Sequence, residues 1–362
     1  MPYAERHEIY LLVLEADVPL FEFVGSTMHL VVTSEKYRTP VRDILWHQLA
    51  LPKWLEDNHI DVLHVPSYRR MLRSAPCALV ATIHDLAQFH VRRKADYARM
   101  FYSRVVARYL ARRQNEIITV SQSTAQDVER LFNIPRDRIH LAYNGVDRDR
   151  FVRGDQVQAR AQSSARWALD HPFVLYVSRI EHPLKNHCRL IKAFEKFKIA
   201  TKADWQLVLV GSDWHGSDVV HAVAGRSLFA NSIRFLGFVK DADLPTLYRA
   251  AEAMVYPSLF EGFGLPLVEA IECGCPVLAS NRGSLAEVVG TIEGTFDPEN
   301  VDEIVRVLIL VATDVGWRKR ICDAQVSNAK RFSWDDHAQR GLVIYQRAID
   351  RHREAVTPSI PR

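Results

Sequence analysis

Long apolar runs are missing from this sequence. The longest near-continuous one, Ile304 to Ala312, is interrupted by Arg306 and falls well short of the roughly 20 residues a membrane-spanning helix needs. The opening residues, Met-Pro-Tyr-Ala-Glu-Arg, lack the apolar core of a secretion signal. A cytoplasmic protein, soluble or peripheral to the inner face of a membrane, is therefore expected. Cysteine is also scarce: Cys77, Cys188, Cys273, Cys275 and Cys322 form no C-x-x-C pair. An odd set in a long chain points to free thiols in a reducing compartment. Cys273-Gly-Cys275 has the wrong spacing for a zinc knuckle. No strong charge excess is present either, and a net +4 is too mild to imply nucleic acid. No G-x-G-x-x-G follows a strand, which argues against a dinucleotide oxidoreductase. Gly211-Ser-Asp-Trp-His-Gly216 lacks the Lys-Ser/Thr ending of a P-loop.

At 362 residues, 48% hydrophobic and 25% charged, the chain suits about two globular domains. Short apolar runs alternate with amphipathic stretches, the pattern of parallel α/β sheets with helices on their faces. Strands are expected at Ile9–Leu14, His29–Val32, Val62–Val65, Ala78–Ile83, Glu116–Val120 and Ile139–Leu141. Helices are expected at Val41–Asn58 and Ala95–Gln114, with Ser123 and Gln126 as a capping box for another. A second set of strands covers Phe173–Val177, Gln206–Val210, Ile233–Phe238, Ala253–Tyr256 and Pro276–Ala279. Between the sets, Arg153 to Asp170 is polar and reads as the boundary. Domains at 1–155 and 170–333 follow, with an amphipathic helix over 334–354. Two doubly wound domains would bind ligands at the C-terminal ends of their strands.

The most specific chemistry lies in Glu261-Gly-Phe-Gly-Leu-Pro-Leu-Val-Glu269. Pro266 suits the start of a helix, where its missing N–H has no partner to lose. Gly262 and Gly264 allow close approach or positive φ. Such a turn aims free N–H groups and a helix N-terminus at one spot, which attracts phosphate. Glu261 in the loop and Glu269 in the first helical turn would repel phosphate, so they suit hydroxyls instead. Hydroxyls beside phosphates describe a nucleotide sugar. Arg179, at the end of the strand Phe173–Val177, and Lys185 in the following loop suit a diphosphate, one as a planar fork and the other as a point charge.

The string EGFGLPLVEA resembles the E-x7-E motif of the GT-B retaining glycosyltransferases of family 4. Arg179 with Lys185-Asn186 resembles that family's phosphate clamp, Ser178 replacing its usual glycine. The resemblance spans nearly the whole chain and is strongest over 173–289. It implies two Rossmann-like domains facing a cleft, with the helix 334–354 packing back on the first. It also implies hexose transfer, of mannose or glucose type, from a nucleoside diphosphate sugar to a saccharide or lipid-linked acceptor, in bacterial polysaccharide or lipopolysaccharide biosynthesis. Glu261, His84, Arg179 and Lys185 would be catalytic. Glu269, Gly262, Phe263, Gly264, Leu265 and Asn144 would complete the donor site. The donor is a substrate, and neither cofactor nor metal is expected. Asp85 either orients His84 or caps the next helix.

Two features depart from or extend that pattern. Family members open with a strand, a glycine-rich loop and a helix, whereas this sequence starts at Met1-Pro2-Tyr3-Ala4-Glu5-Arg6-His7. Roughly one βα unit is thus expected to be absent from the first domain, through a true truncation or a misplaced start. In 91–114, Arg104, Arg108 and Arg112 recur at helical spacing beside Phe101, Val105 and Tyr109. That face either lies on anionic lipid or is a solvated helix packed on its own domain. The competing functions are a sugar-nucleotide epimerase or hydrolase on the same scaffold, or a nucleotide-binding protein without transfer activity.

Overall fold

The computed structural model describes residues 7–25, 28–91 and 100–356. The Met1–Arg6 stretch and residues 92–99 of the basic segment lie outside the described residues. Among the described residues twelve strands are all paired in parallel. The first six are β1 (Tyr10–Leu14), β2 (His29–Thr33), β3 (Val62–Val65), β4 (Ala78–Ile83), β5 (Glu116–Thr119) and β6 (Ile139–Leu141). The second six are β7 (Phe173–Val177), β8 (Gln206–Val210), β9 (Ile233–Gly237), β10 (Ala253–Tyr256), β11 (Val277–Ser280) and β12 (Thr295–Phe296). β7, β8 and β10 are buried nearly throughout because helices cover both faces, so they read as continuous apolar runs rather than alternating ones.

The second set forms one sheet in the order β12-β11-β10-β7-β8-β9. This is the doubly wound order, with its switch point between β7 and β10. The first set divides into β1-β2 and β3-β4-β5-β6. The helix Trp334–Val356 returns to the first domain, where Ile344 and Ala348 pack on Ala78, Val80, Ile118 and Ala142. Arg351 secures it by donating to buried Glu116 at 2.8 Å.

Several local expectations need correction. The stretch Val41–Asn58 is two helices, Pro40–Leu49 and Leu51–Asp57, because Pro52 cannot continue the first hydrogen-bond ladder. The helix Gln122–Phe132 is capped by Ser121, whose side chain accepts from Thr124 N–H, and not by Ser123. Ser121 is extended where the chain leaves β5, so it is the residue placed to cap. Arg153–Asp170 is not a bare boundary but contains the helix Gln156–Trp167, packed against the helix Leu244–Ala250. Its buried residues, Ala159 and Ser163, are small, which is why the stretch lacks an apolar signature. β12 escaped notice because two residues carry no periodicity. None of the five cysteines is disulfide-bonded; Cys77, Cys273 and Cys275 are buried and Cys188 and Cys322 partly so. Among the described residues no helix is long and apolar enough to cross a membrane.

Two histidines are held neutral. His64 lies between Thr82 Oγ1 at 2.8 Å and the Tyr345 hydroxyl at 2.7 Å, and burial pushes its pKa down to about 4. His187, packed against the Tyr176 ring, is pushed by burial down to about 3. The unfolded chain protonates both below its ordinary histidine value, whereas the folded chain does not. Stability therefore rises with pH up to that value and is lost below it. From pH 7.5 to 5.5 the pair is expected to cost about 2–3 kcal/mol. Denaturant midpoints across this range test it, and His187→Asn should remove about half of the effect.

Candidate active site

The switch point of the second sheet brings the candidate donor-site loops together. β7 ends into Ser178-Arg179 and the loop to Lys185, while β10 ends into the segment leading to Glu261. The two loops are fastened together. The Tyr176 hydroxyl donates to Lys185 O at 2.8 Å, Leu259 N to Leu184 O at 2.9 Å, and Asn186 Nδ2 to Pro257 O at 3.0 Å. Where the family resemblance leads one to expect glycine at 178, the close approach is instead made by Gly211. At φ +142 a Cβ on it would lie 2.0 Å from the Ser178 carbonyl.

Lys185 Nζ donates to Glu261 Oε1 at 2.6 Å, with only 10% and 16% of the two side chains exposed. Burial is the largest influence and opposes the lysine's charge, but Glu261, Tyr176 and Glu181 together outweigh it and the net pKa displacement is upward. The two groups assigned separately to phosphate and sugar thus meet in one ion pair. Arg179 is 55% exposed, lies 3.5 Å from buried Glu181, and sets its guanidinium 4.9 Å from the Trp214 ring. A half-exposed arginine stacked on an aromatic is oriented yet open to an anion.

The turn itself is shaped by glycine. Gly264, at φ +102, precedes the helix Leu265–Glu272, a conformation that L side chains avoid. Gly262 is present for proximity, since a Cβ there would lie 1.9 Å from the carbonyl oxygen of His84 in the other domain. Ser284 holds the turn from behind, donating to Phe263 O at 2.8 Å and to Glu261 O at 3.1 Å. Glu269 is in the second turn of the helix rather than the first, because the helix starts at Leu265. It accepts the Tyr248 hydroxyl at 2.8 Å, and burial raises its pKa despite that bond.

His84 leaves the end of β4, and its Nε2 donates to Pro66 O at 3.0 Å, which makes Nδ1 the basic nitrogen. Asp85 Oδ1 accepts from Ala87 N at 2.9 Å, closing a local turn just before the short helix Ala87–His90, whose N-cap position is Leu86. Asn144 is buried in the crossover between domains, next to Gly145, whose Cβ would strike Trp334 N at 2.2 Å. Residues that sequence reasoning passed over include Tyr176, Trp214, Thr124, Tyr248 and Ser284. Each acts through a contact distant in sequence.

A cavity of about 1110 Å³ between the domains is lined by His90, Asp127, Arg130, Arg189, Phe260 and Arg282, not by Arg179, Lys185 or Glu261. Its arginines are each paired: Arg130 with Asp127 at 2.9 Å, Arg282 with Asp297 at 3.2 Å, Arg189 with Glu299 at 3.8 Å. Arg179, Lys185 and Glu261 lie outside this lining, at the switch point.

Two parallel-sheet domains in contact, with cation, carboxylate and helix N-terminus at the switch point of the second, define the GT-B class of sugar-transferring enzymes. Solved structures of this fold align over almost the whole chain. Sucrose-phosphate synthase of Thermosynechococcus elongatus superposes with a TM-score of 0.75 at 17% identity, over 94% of this chain and 99% of that one. HepE of Anabaena, solved with UDP and glucose, gives 0.73 at 22% identity, over 95% and 92%. Residues 3–150 match the family model described as Glycosyltransferase Family 4, and residues 158–330 that described as Glycosyl transferases group 1. The chain belongs to this glycosyltransferase family, and its enzyme class is hexosyl transfer. O-antigen chain mannosyltransferase B of Escherichia coli is 33% identical over 269 residues, covering 74% of this chain and 70% of that protein. Serotype-specific mannosyltransferase WbdA of Escherichia coli is 30% identical over 289 residues, covering 78% of this chain but 35% of that longer protein.

Gly262→Ala is expected to lower stability by about 1–3 kcal/mol, the usual cost of overpacking. Gly225→Ala, where an added Cβ meets nothing within 4 Å, serves as the control and should not lower stability, since alanine favours the helix it ends. Urea denaturation of both variants checks the difference.

Proposed function

We propose that this enzyme transfers a hexose, of mannose type, from a nucleoside diphosphate sugar to a hydroxyl of a saccharide or lipid-linked saccharide, with retention of anomeric configuration. Polysaccharide or lipopolysaccharide biosynthesis is the process it serves. The buried Lys185–Glu261 pair beneath the glycine turn carries the reading, since it joins a phosphate-binding cation to a hydroxyl-binding carboxylate at 2.6 Å. The names of the mannosyltransferase relatives support the sugar, and the UDP complex of HepE supports a nucleotide donor.

In the proposed reaction the anomeric C–O bond breaks and its electron pair leaves on the diphosphate. Arg179, Lys185 and the N–H groups of Gly264 and Leu265 stabilise that charge without a metal. Glu261 holds hydroxyls of the sugar, Glu269 those of the ribose, and His84 faces the sugar from the opposite domain. The acceptor oxygen attacks from the same face, and its proton passes to the departing phosphate oxygen. No protein side chain becomes covalently attached.

The basic helical face supports peripheral binding to anionic lipid on the cytoplasmic side. Phe101, Val105 and Tyr109 are exposed by 63%, 51% and 42%, beside exposed Arg104 and Arg108. Arg112 is also exposed but anchors to its own domain, donating to Phe132 O at 2.7 Å. Cosedimentation with phosphatidylglycerol vesicles, absent with phosphatidylcholine and lost in Val105→Asp with Arg108→Glu, is the expected result. Equal sedimentation with both lipids would remove this partner.

A panel of nucleoside diphosphate sugars scored for nucleotide release tests the activity. Lys185→Ala and Glu261→Ala should each lower acceptor-dependent release by about 10²–10³-fold. Equal release by all three proteins removes the site assignment. Release that ignores the acceptor points instead to the hydrolase or epimerase reading. The anomeric signal of the product in NMR reports retention or inversion.

A further inference from the structure

Glu287 lies on the short helix Leu285–Val289, immediately after Ser284, the residue that holds the Glu261–Phe263 turn. Its carboxylate does not serve the donor groups. Both oxygens accept the backbone N–H of Gln122 at 3.1 Å, and one also accepts the Tyr143 hydroxyl. Gln122 is the first residue of the eleven-residue helix Gln122–Phe132 in the first domain, where backbone N–H groups have no partner within the helix. Two residues on, Thr124 Oγ1 donates to the His84 carbonyl at 3.2 Å and approaches Gly262 O at 3.5 Å.

Tyr143 occupies the segment by which the chain first crosses between the domains. Its carbonyl accepts from His337 Nδ1 at 2.9 Å, and its ring lies 4.7 Å from the Arg331 guanidinium. Both partners belong to the segment by which the chain crosses back. One half-buried carboxylate therefore ties together the first-domain helix and, through Tyr143, both crossovers. Burial first, and then the Glu287 carboxylate, push the Tyr143 phenol up to about 12, so it remains a hydrogen-bond donor at physiological pH.

We propose that Glu287 is the closure latch of the enzyme: a positioning residue that holds the first domain against the second so that His84 faces the Glu261 turn. Nothing in this role requires contact with substrate. The activity arm of the inference rests on the proposed transfer reaction, whereas the conformational arm stands without it.

Glu287→Ala, Glu287→Gln and Tyr143→Phe separate the possibilities. Binding of nucleoside diphosphate, measured by calorimetry, should change less than about three-fold, because Arg179, Lys185 and Glu261 all belong to the second domain. With Glu287→Ala, kcat should fall at least about ten-fold with a smaller change in donor KM. Glu287→Gln keeps an acceptor oxygen and should fall between wild type and alanine. Small-angle scattering should show a larger radius of gyration for Glu287→Ala than for wild type. An unchanged radius overturns the proposal, as does an unchanged kcat in a variant that merely melts earlier. If the wild type itself transfers no sugar, the reaction assignment fails, and scattering alone decides the latch.

Discussion

Two backbones meet at Gly262 with no room for a methyl group between them. The carbonyl of His84 occupies the space a Cβ would take, at 1.9 Å, so the loop after β4 and the loop after β10 are in direct contact across the cleft. Most of the site depends on that approach. It joins the loop that carries His84 to the turn that carries Glu261, and it uses a residue type that strand and helix interiors disfavour. Thr124, bonded to the His84 carbonyl and close to that of Gly262, reinforces the same contact.

The contact has something to face because of the order in which six strands pair. In the sequence Arg179 and Lys185 are separated from Glu261 by the whole of β8, β9, β10 and their helices. The doubly wound order makes β7 and β10 neighbours, and their C-terminal ends are where backbone groups and helix termini converge. Desolvating a lysine there is unfavourable unless a charge of opposite sign accompanies it. Glu261 supplies that charge.

Legibility followed the distance over which each signal operates. The turn from Glu261 to Glu269 was readable because its acids, glycines and proline are contiguous, and the strands of the second domain because burial on both faces leaves unbroken apolar runs. Helix Gln156–Trp167 was hidden, since close packing selected Ala159 and Ser163 rather than large apolar residues. The capping residue was misplaced by two positions because several hydroxyl residues stand in a row and only the backbone angles distinguish Ser121. Glu287, Tyr143 and Trp214 could not be found from local pattern at all, because each acquires meaning only when distant segments meet. Glu261 and Lys185 were both named, yet their pairing with one another is a product of the fold.

The most direct test of the account is a crystal structure with an intact nucleoside diphosphate sugar. The account predicts diphosphate oxygens within hydrogen-bond distance of Lys185 Nζ and of the N–H groups opening the helix Leu265–Glu272. It also predicts the hexose between Glu261 and His84. A diphosphate bound elsewhere, with Lys185 still confined to Glu261 and no contact to the glycine turn, would contradict it.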